Sequence, residues 1–403
     1  MTNSAVYLYP WDVDGDPDGP NRIAGLGVKD VVLAAAYHSV RAVTPFHPRH
    51  RIVTRDAAVH YRPDHERWRG LPLQPAEASV LGGSADPAES AESAGSFERA
   101  AEALRAAGLR VTAWVVVAHS EAVGAAHPEF VVRNAFGDPY PWTLCISSPD
   151  VRDYAATLAA DVAALDWAEG IELEACGWYG FGHLSAHDKT GGGPAGAAGW
   201  LLDLCFCPSC EGACRAAGLN PGRLRERVRA AVDGGLDGLP ADMERAIQEV
   251  RAELAADFLR DVIGSARAVA PRKPVLVHSH PDPRESGSNP GFDPLVLLGD
   301  GGADGVVLAC PDRSSAELVS QVATGAPATA RIAANLPAVA ALGGRPAELR
   351  AQAAAMLEAG ATELRFYHAG LASAGDLAAI RDCCAALASP SAVPGQAGDA
   401  RMF

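Results

Sequence analysis

The sequence predicts an α/β fold, a single (β/α)8 TIM barrel, from two observations. Eight short runs of β-forming residues alternate along the 403-residue chain with longer, alanine-rich runs whose apolar residues recur at helical spacing. Such alternation produces a parallel sheet with its helices outside. The first predicted strand leads into YPWDVDGDPDGP, which has neither a GxGxxG turn nor a Walker A lysine. Eight units without a nucleotide-binding turn favour a closed barrel over an open, doubly wound sheet.

The elements can be placed in order from their patterns. The predicted strands are residues 5–11, 30–38, 110–119, 170–176, 273–280, 305–310, 328–335 and 362–368. The clearest predicted helices are residues 97–107, 151–165, 242–269, 315–322, 346–359 and 375–387. Several of them follow a capping residue such as Ser96 or Ser314, and several stop at a glycine such as Gly108 or Gly360.

Two connections are too long for ordinary barrel loops, so we predict one barrel domain, residues 1–388, with insertions 39–96 after strand two and 177–241 after strand four. The first insertion contains the strand-like run RIVTRDAAVHY, and we expect that part to fold over the barrel mouth. Its second half, PAEASVLGGSADPAESAESAGS, has the composition of a flexible segment. Residues 389–403 are expected to form a flexible tail.

Composition excludes several classes of protein. With 34 Lys and Arg against 49 Asp and Glu, the net charge is −15, and this field repels nucleic acid. No apolar run approaches the ~18 residues of a membrane span, and the N-terminus lacks the pattern of a secretion signal. Nine cysteines, an odd number in a long chain, do not form a small disulfide framework. We expect a reduced, cytoplasmic protein, and the abundance of Ala, Gly and Arg is typical of a high-GC bacterium.

Strand four, GIELEAC, carries the strongest catalytic signal. Because side chains alternate along a strand, Glu172 and Glu174 share the face opposite Ile171 and Leu173. If the apolar face meets the helices, both acids point into the barrel, with Glu174 nearer the C-terminal end where barrel active sites lie. Two neighbouring acids repel each other, which favours the protonated form that a general acid needs. The alternative for Glu172 is a buried ion pair with Arg365 of strand eight.

The loop after strand four and the ends of other strands supply candidates for substrate binding. Aromatic rings beside carboxylates suit sugars, whose C–H faces stack on rings. The alternative for the aromatic residues is a plug that packs the loop. The alternative for residues 187–189 is a solvated turn. The candidate binding residues are Tyr9, Trp11, His38, His119, Trp178, Tyr179, His187, Lys189, His278, His280, Asn335, Arg365 and Tyr367. Asp12, after strand one, is a candidate second carboxylate.

Two patterns raise the question of a metal. His278-Ser-His280 resembles the HxH pair of barrel metallohydrolases, but that pair belongs on strand one, which has no histidine here. We therefore predict no catalytic metal and no cofactor. The run Cys205-x-Cys207-x₂-Cys210-x₃-Cys214 allows zinc bound by four thiolates, or by the last three and a distant histidine. Buried, reduced cysteines that anchor the insertion are the alternative, and we assign no metal ligand.

Part of the chain resembles a family of uncharacterised (β/α)8-barrel glycoside hydrolases. HPEFVVRNAFGDPYPWTLCISSPDVRDYAATLAADVAALDWAEGIELE and the later CFCPSC carry this resemblance, which covers mainly residues 111–214. YPWDV and RAVTPFHPRHRIVTRDAAVHYRP are more weakly similar. The resemblance implies a glycosidase-like barrel with an acidic residue near the end of strand four, a position that falls on Glu172 or Glu174.

The chain departs from that pattern on strand seven. Retaining barrel glycosidases commonly carry a second carboxylate there, whereas this sequence reads RIAANLPAV. The partner acid is then Glu172, Asp12, Asp14, Asp312 or a residue of the insertions. We predict an enzyme that cleaves a small saccharide or glycoside by carboxylate acid/base catalysis. The alternatives are a catalytically silent carbohydrate-binding barrel and a lyase or isomerase of a sugar or sugar phosphate.

Overall fold

The computed structural model describes residues 3–78, 95–182, 197–234, 238–285, 291–299 and 302–388. Its strands are β1 (Asn3–Leu8), β2 (Asp30–Tyr37), β3 (Val40–Val43), β4 (Ile52–Arg55), β5 (Ala58–Val59), β6 (Arg110–Val116), β7 (Val131–Arg133), β8 (Pro139–Leu144), β9 (Gly170–Glu174), β10 (Val275–Ser279), β11 (Gly305–Ala309), β12 (Arg331–Pro337) and β13 (Glu363–Tyr367).

Eight of these strands close into a parallel barrel, which confirms the predicted fold. Around the ring the order is β1, β2, β6, β9, β10, β11, β12 and β13, and β13 pairs in parallel with β1 to complete the circle. All eight predicted strands overlap these barrel strands in chain order. The carboxyl ends of the strands therefore meet at one mouth, which is where barrel enzymes place their active sites.

Helices surround this ring. They are α1 (Gly19–Ala24), α2 (Ser96–Ala106), α3 (Glu121–Ala126), α4 (Pro149–Ala163), α5 (Ala197–Leu202), α6 (Pro208–Ala216), α7 (Pro221–Val232), α8 (Ala241–Val269), α9 (Pro294–Leu298), α10 (Ala316–Gly325), α11 (Leu349–Glu358) and α12 (Ala374–Ala388). The outer strand faces and the helices share one apolar core, to which Leu173 and Phe258 belong. Full burial of one such side chain contributes roughly 1.5–3 kcal/mol.

Some element ends differ from the sequence prediction. Strand one stops at Leu8 instead of residue 11, because Pro10 has no amide proton for the sheet and begins a 3₁₀ turn, Pro10–Asp12. The third barrel strand, β6, stops at Val116 instead of residue 119. The helix predicted at 346–359 begins with the separate 3₁₀ turn Pro346–Glu348 before α11.

The chain between β2 and α2 contributes a short hairpin at the mouth. Strands β3 and β4 pair with each other in antiparallel fashion, and β5 pairs with the end of β2. Ala42 and Val53 of the hairpin are buried in the same cluster as Trp11 and Tyr37. The predicted flexible run lies largely outside the described residues, and the predicted tail lies wholly outside them.

The chain after β9 adds helices α5–α7 before α8 returns to the barrel. This part has its own small apolar cluster, which includes Leu224 and Val228 of α7 and Ile247 of α8. Among the helices in the described ranges, none is both long and apolar enough to cross a lipid bilayer.

Candidate active site

The two glutamates of β9 occupy different environments inside the barrel. Ile171 and Leu173 belong to the outer core, as the alternation predicts. Glu172 is completely buried, whereas 18% of the Glu174 side chain is exposed at the end of the strand. The strand pattern thus separates one enclosed carboxylate from one that is accessible at the mouth.

Glu172 is fixed by three neighbours. Tyr7 donates its hydroxyl proton to Oε1, which also lies 3.0 Å from His278 Nε2. Arg365 Nε donates to Oε2 at 3.2 Å. Burial by itself would raise the pKa of Glu172, but the His278 hydrogen bond and the Arg365 charge outweigh it and lower the pKa to about 2. Glu172 is therefore a permanently ionised carboxylate near neutral pH.

Arg365 links Glu172 to a second acid below it. Its Nη2 lies 2.8 Å from Glu363 Oε2, and Glu363 also pairs with Arg331 at the base of the barrel. Arg365 is only 2% exposed. The alternative that the sequence left open for Glu172, an ion pair with Arg365, is present in the structure. The catalytic role of Glu172 and the substrate-binding role of Arg365 stay predictions.

His278 stands between the two glutamates. Its Nε2 is 4.0 Å from Glu174 Oε2 as well as 3.0 Å from Glu172 Oε1. Burial would lower the pKa of His278, but the nearby charges of Glu174 and Glu172 outweigh it, and the pKa is raised. The imidazole therefore couples the enclosed carboxylate to the accessible one.

Glu174 receives a hydrogen bond from an aromatic residue of the neighbouring strand. Trp114 Nε1 donates to Glu174 Oε2 at 2.7 Å. Trp114 lies on β6, which pairs with β9 so that Val116 and Glu174 are register partners. One carboxylate oxygen is thus held by an indole, and the side chain remains partly exposed to a substrate.

Tyrosine hydroxyls line the barrel beside Glu174. Tyr9 donates to Tyr37 at 3.2 Å, and the Tyr37 and Tyr367 hydroxyls lie 3.4 Å apart. The Tyr37 ring also contacts Trp114 edge-on, with centroids 4.6 Å apart. Burial raises the pKa of Tyr37, so its hydroxyl stays protonated. These rings form a wall with apolar faces and hydroxyl groups.

A second polar group lies at the mouth on the β2 and β6 side. The rings of His38 and His119 stack 4.5 Å apart, and His119 Nε2 is 3.3 Å from Glu121 Oε1. Glu121 opens α3, which Ser120 caps by accepting from the Val123 amide. Burial lowers the pKa of His38, although the charges of Glu174 and Glu121 act in the opposite direction. Both carboxylates therefore lie within electrostatic reach of His38.

Asp12 is held elsewhere. It accepts a 2.7 Å hydrogen bond from the Tyr9 amide, and its Oδ2 lies 3.9 Å from His368 Nδ1 under the loop at Gly370. Burial raises the pKa of Asp12 to about 7, although the Tyr9 amide and Arg22 lower it in part. The peptide bond between Tyr367 and His368 is cis. The contacts of Asp12 thus join it to the loop after β13 instead of to Glu174.

The other aromatic candidates divide between the mouth and the outer core. Trp11 stacks on Tyr9 with centroids 4.7 Å apart, and Tyr179 is buried near His119. Trp178 points away from them. Its Nε1 donates to the Arg251 carbonyl at 2.9 Å, and the Arg251 guanidinium lies over the ring. These contacts match the packing alternative, and a role of Trp178 in sugar binding stays a prediction.

The remaining candidates lie at or beyond the mouth. His280 lines a cavity of about 600 Å³ between the ends of β10 and β11 and helix α10, and it accepts from the Asp282 amide. Asn335 Oδ1 is buried, and within the described part of the chain it has no hydrogen-bond partner. His187 and Lys189 fall outside the described residues, and their roles stay predictions.

The other acids proposed as a second carboxylate are also engaged. Asp14 pairs with Arg99, with Oδ2 2.8 Å from Nη2. Asp312 caps the 3₁₀ turn Arg313–Ser315 by accepting from the Ser314 amide at 2.8 Å.

Tyr7, Trp114 and Glu121 were not among the site residues predicted from the sequence. For the first two, a signal was available, since Tyr7 alternates with Val6 and Leu8, and Trp114 with Ala113 and Val115, along predicted strands. Glu121 falls after the third predicted strand, where alternation gives no direction. The same holds for Cys145, which joins Cys205, Cys207 and Cys210 in the structure, whereas Cys214 packs in the separate cluster of α7 and α8.

Comparisons with known proteins support the fold. No protein family and no curated protein matches the sequence. Solved structures with a similar fold include the glycoside hydrolase domain of PgaB (BpsB) from Bordetella bronchiseptica. It is 15% identical, with a TM-score of 0.59 over 95% of this chain and 99% of that one.

Two further similar structures are larger proteins. Alpha-L-fucosidase isoenzyme 2 from Paenibacillus thiaminolyticus is 14% identical (TM-score 0.57), and the alignment covers 96% of this chain and 49% of that one. A beta-galactosidase from Bacillus circulans sp. alkalophilus is 11% identical (TM-score 0.55), with 95% and 55% covered. This chain spans about half the length of these two. The likeness confirms, at the level of the fold, the expected resemblance to barrel glycoside hydrolases.

Proposed function

We propose that this barrel is a glycoside hydrolase in which Glu174 is the general acid. The observation that carries the proposal is the position of Glu174, a partly exposed carboxylate inside the mouth at the end of β9, hydrogen-bonded by Trp114 at 2.7 Å. A catalytic acid must be accessible to the substrate and held in one orientation. Glu174 meets both conditions, whereas Glu172 is enclosed and ionised.

The surroundings of Glu174 suit a small carbohydrate. The Tyr9, Tyr37 and Tyr367 wall offers apolar ring faces and hydroxyls. Asn335, on β12 beside the strand of Tyr367, offers a buried amide oxygen that has no hydrogen-bond partner among the described residues. Sugar rings present the complementary combination of C–H faces and hydroxyl groups. The net charge of −15 disfavours nucleic acid and polyanionic substrates.

Water activation requires a second group, and we assign it to His38, supported by His119 and Glu121. Burial lowers the pKa of His38, which makes the ring neutral and able to accept a proton near neutral pH. Glu174 gives its proton to the glycosidic oxygen as the anomeric C–O bond breaks. The oxygen of water bonds to the anomeric carbon, and the water proton passes to His38. A single displacement of this kind inverts the anomeric configuration.

We also propose that the protein acts in the bacterial cytoplasm. None of the nine cysteines is paired in a disulfide, which accords with a reducing compartment.

The test is a panel of aryl glycosides and natural disaccharides, with the first-formed anomer of the product identified by NMR. We expect turnover of at least one substrate with inversion, and loss of that turnover in Glu174→Gln. Glu102→Gln changes an exposed glutamate on α2 and serves as the matched control. Full activity of Glu174→Gln would overturn the assignment.

A carbohydrate-binding barrel without catalysis is the second candidate, and the observation that favours it is Asn335. This amide occupies β12, the strand on which retaining glycosidases commonly carry a carboxylate. Calorimetric binding of a saccharide that the protein never cleaves, unchanged in Glu174→Gln, would select this candidate over the hydrolase.

A further inference from the structure

Four cysteine sulfurs meet outside the barrel, and the proposed catalytic steps use none of them. Cys145 lies in the turn between β8 and α4, and Cys205, Cys207 and Cys210 lie at the start of α6 and just before it. All four sulfur atoms are within 4.8 Å of one another. Two segments about 60 residues apart in the sequence therefore converge on one point.

The spacing of the sulfurs indicates their chemistry. Cys145 Sγ lies 3.4 Å from Cys210 Sγ and 3.6 Å from Cys207 Sγ. A disulfide needs about 2.05 Å. In a tetrahedral zinc site with Zn–S bonds of about 2.3 Å, neighbouring sulfurs are about 3.8 Å apart. The observed separations fit the edges of such a tetrahedron.

We propose that Cys145, Cys205, Cys207 and Cys210 bind a structural Zn²⁺ ion. Four protein thiolates fill a tetrahedral coordination sphere and leave no position for water, so the site stabilises the fold and has no catalytic role. The proposal replaces the sequence-based assignment of no metal ligand, and it exchanges Cys214 for Cys145 in the ligand set suggested by the cysteine spacing.

Groups around the sulfurs are arranged to support thiolates. The amides of Arg133 and Cys207 both donate to Cys205 Sγ at 3.4 Å. Ser147 Oγ lies 3.0 Å from Cys210 Sγ. Hydrogen-bond donors of this kind orient metal ligands and reduce the charge on the sulfur. Thiols that merely filled an apolar core would not need them.

A buried cation completes the surroundings. Arg251 of α8 is 7% exposed and lines the same small cavity as Cys205 and Cys210. Its Nη1 donates to the Asp203 carbonyl at 3.2 Å. A zinc tetrathiolate carries net negative charge, so a buried guanidinium beside it is favourable, and the charge in turn lowers the cost of burying Arg251.

The site also has a structural consequence for the mouth. It joins the α5–α7 insertion to the turn before α4. Arg251 lies beside the site, and its backbone carbonyl accepts the 2.9 Å hydrogen bond from Trp178 Nε1. Tyr179, the next residue, is buried in the cluster of the barrel interior. Metal binding thus fixes the start of the loop that follows Glu174.

The experiment is metal analysis of the purified full chain by inductively coupled plasma mass spectrometry, after expression in zinc-supplemented medium. We expect one zinc per chain, and loss of most of it in Cys145→Ser and in Cys207→Ser. Cys214→Ser is the matched control, because Cys214 is a buried cysteine of α6 that lies outside the sulfur group. It should retain the zinc.

A second measurement uses the unmutated protein, in case the ligand variants do not fold. Apoprotein made with a chelator and loaded with Co²⁺ should show the intense visible bands of a tetrahedral tetrathiolate and lose them when Zn²⁺ is added. The proposal would be overturned if the zinc-free protein kept its full thermal stability, or if the purified protein held iron in place of zinc. It would also be overturned by the weak bands of octahedral cobalt, or by a zinc loss in Cys214→Ser equal to that in Cys145→Ser.

Discussion

Arg365 Nε lies 3.2 Å from Glu172 Oε2, and this buried ion pair gives the two glutamates of β9 different roles. The pair, together with the Tyr7 and His278 contacts, keeps Glu172 ionised and enclosed. Glu174, two residues further along, is left as the carboxylate that a substrate can reach. The pairing also connects the base of the barrel to its mouth, since Arg365 reaches down to Glu363 and Glu172 reaches up to His278.

Glu172→Gln should destabilise the protein by about 3 kcal/mol, because it leaves the buried Arg365 charge with one partner fewer. Urea-induced unfolding of the variant, with Glu102→Gln as control, measures this loss. The substitution should also lower the pKa of His278, which the Glu172 charge helps to raise. A variant as stable as the control would show that the pair contributes little.

Trp114→Phe should reduce kcat about tenfold to a hundredfold, since it removes the indole hydrogen bond to Glu174 and keeps an aromatic ring in place. The indole stabilises the carboxylate that forms as Glu174 gives up its proton, and a hydrogen bond to a charged group contributes roughly 1.5–3 kcal/mol. Steady-state kinetics on the substrate found by the glycoside panel measure the effect, and unchanged kcat would mean that the indole does not position the acid.

His38 should produce an acidic limb in the pH profile of kcat/KM. Its folded-state pKa is lowered below the usual 6.5, so the neutral form persists below that pH and activity falls only when the ring becomes protonated. His38→Gln should lower the rate and remove this limb, whereas His65→Gln, at an exposed position, should leave it intact. A limb that survives in His38→Gln would assign it to another group.

Asp12→Asn should make stability less dependent on pH. The pKa of Asp12 is raised from 3.8 to about 7, so the folded state binds this proton more tightly than the unfolded state. Burial of the ionised Asp12 carboxylate costs stability, and this cost is absent below the unfolded-state pKa of 3.8. It grows as the pH rises and levels off once the pH passes about 7. The stability of the variant relative to the unmutated protein should therefore rise over this range, at up to about 1.4 kcal/mol per pH unit. Thermal unfolding at several pH values measures the difference, and a constant difference would contradict it.

Strand alternation was enough to predict the barrel and the inward position of Glu172 and Glu174, because that pattern is a local property of the chain. It also placed Glu174 nearer the mouth and left an ion pair between Glu172 and Arg365 open. It could not predict the contacts of His278 and Trp114 with these acids, because they come from two other strands. No direction for the Trp178 side chain followed from the sequence, because a loop tryptophan has no periodic face, and its contacts with Arg251 became visible only in the structure. Cys145 offered no spacing signal, since only folding brings it to the other cysteines.

The most direct test of the central claim compares leaving groups in Glu174→Gln. A general acid assists departure of a poor leaving group but is hardly needed by a good one. With aryl glycosides of one sugar, kcat should therefore fall about a hundredfold or more for an unactivated phenyl group and much less for a dinitrophenyl group. Equal losses for both, or no loss for either, would contradict the assignment of Glu174 as the proton donor.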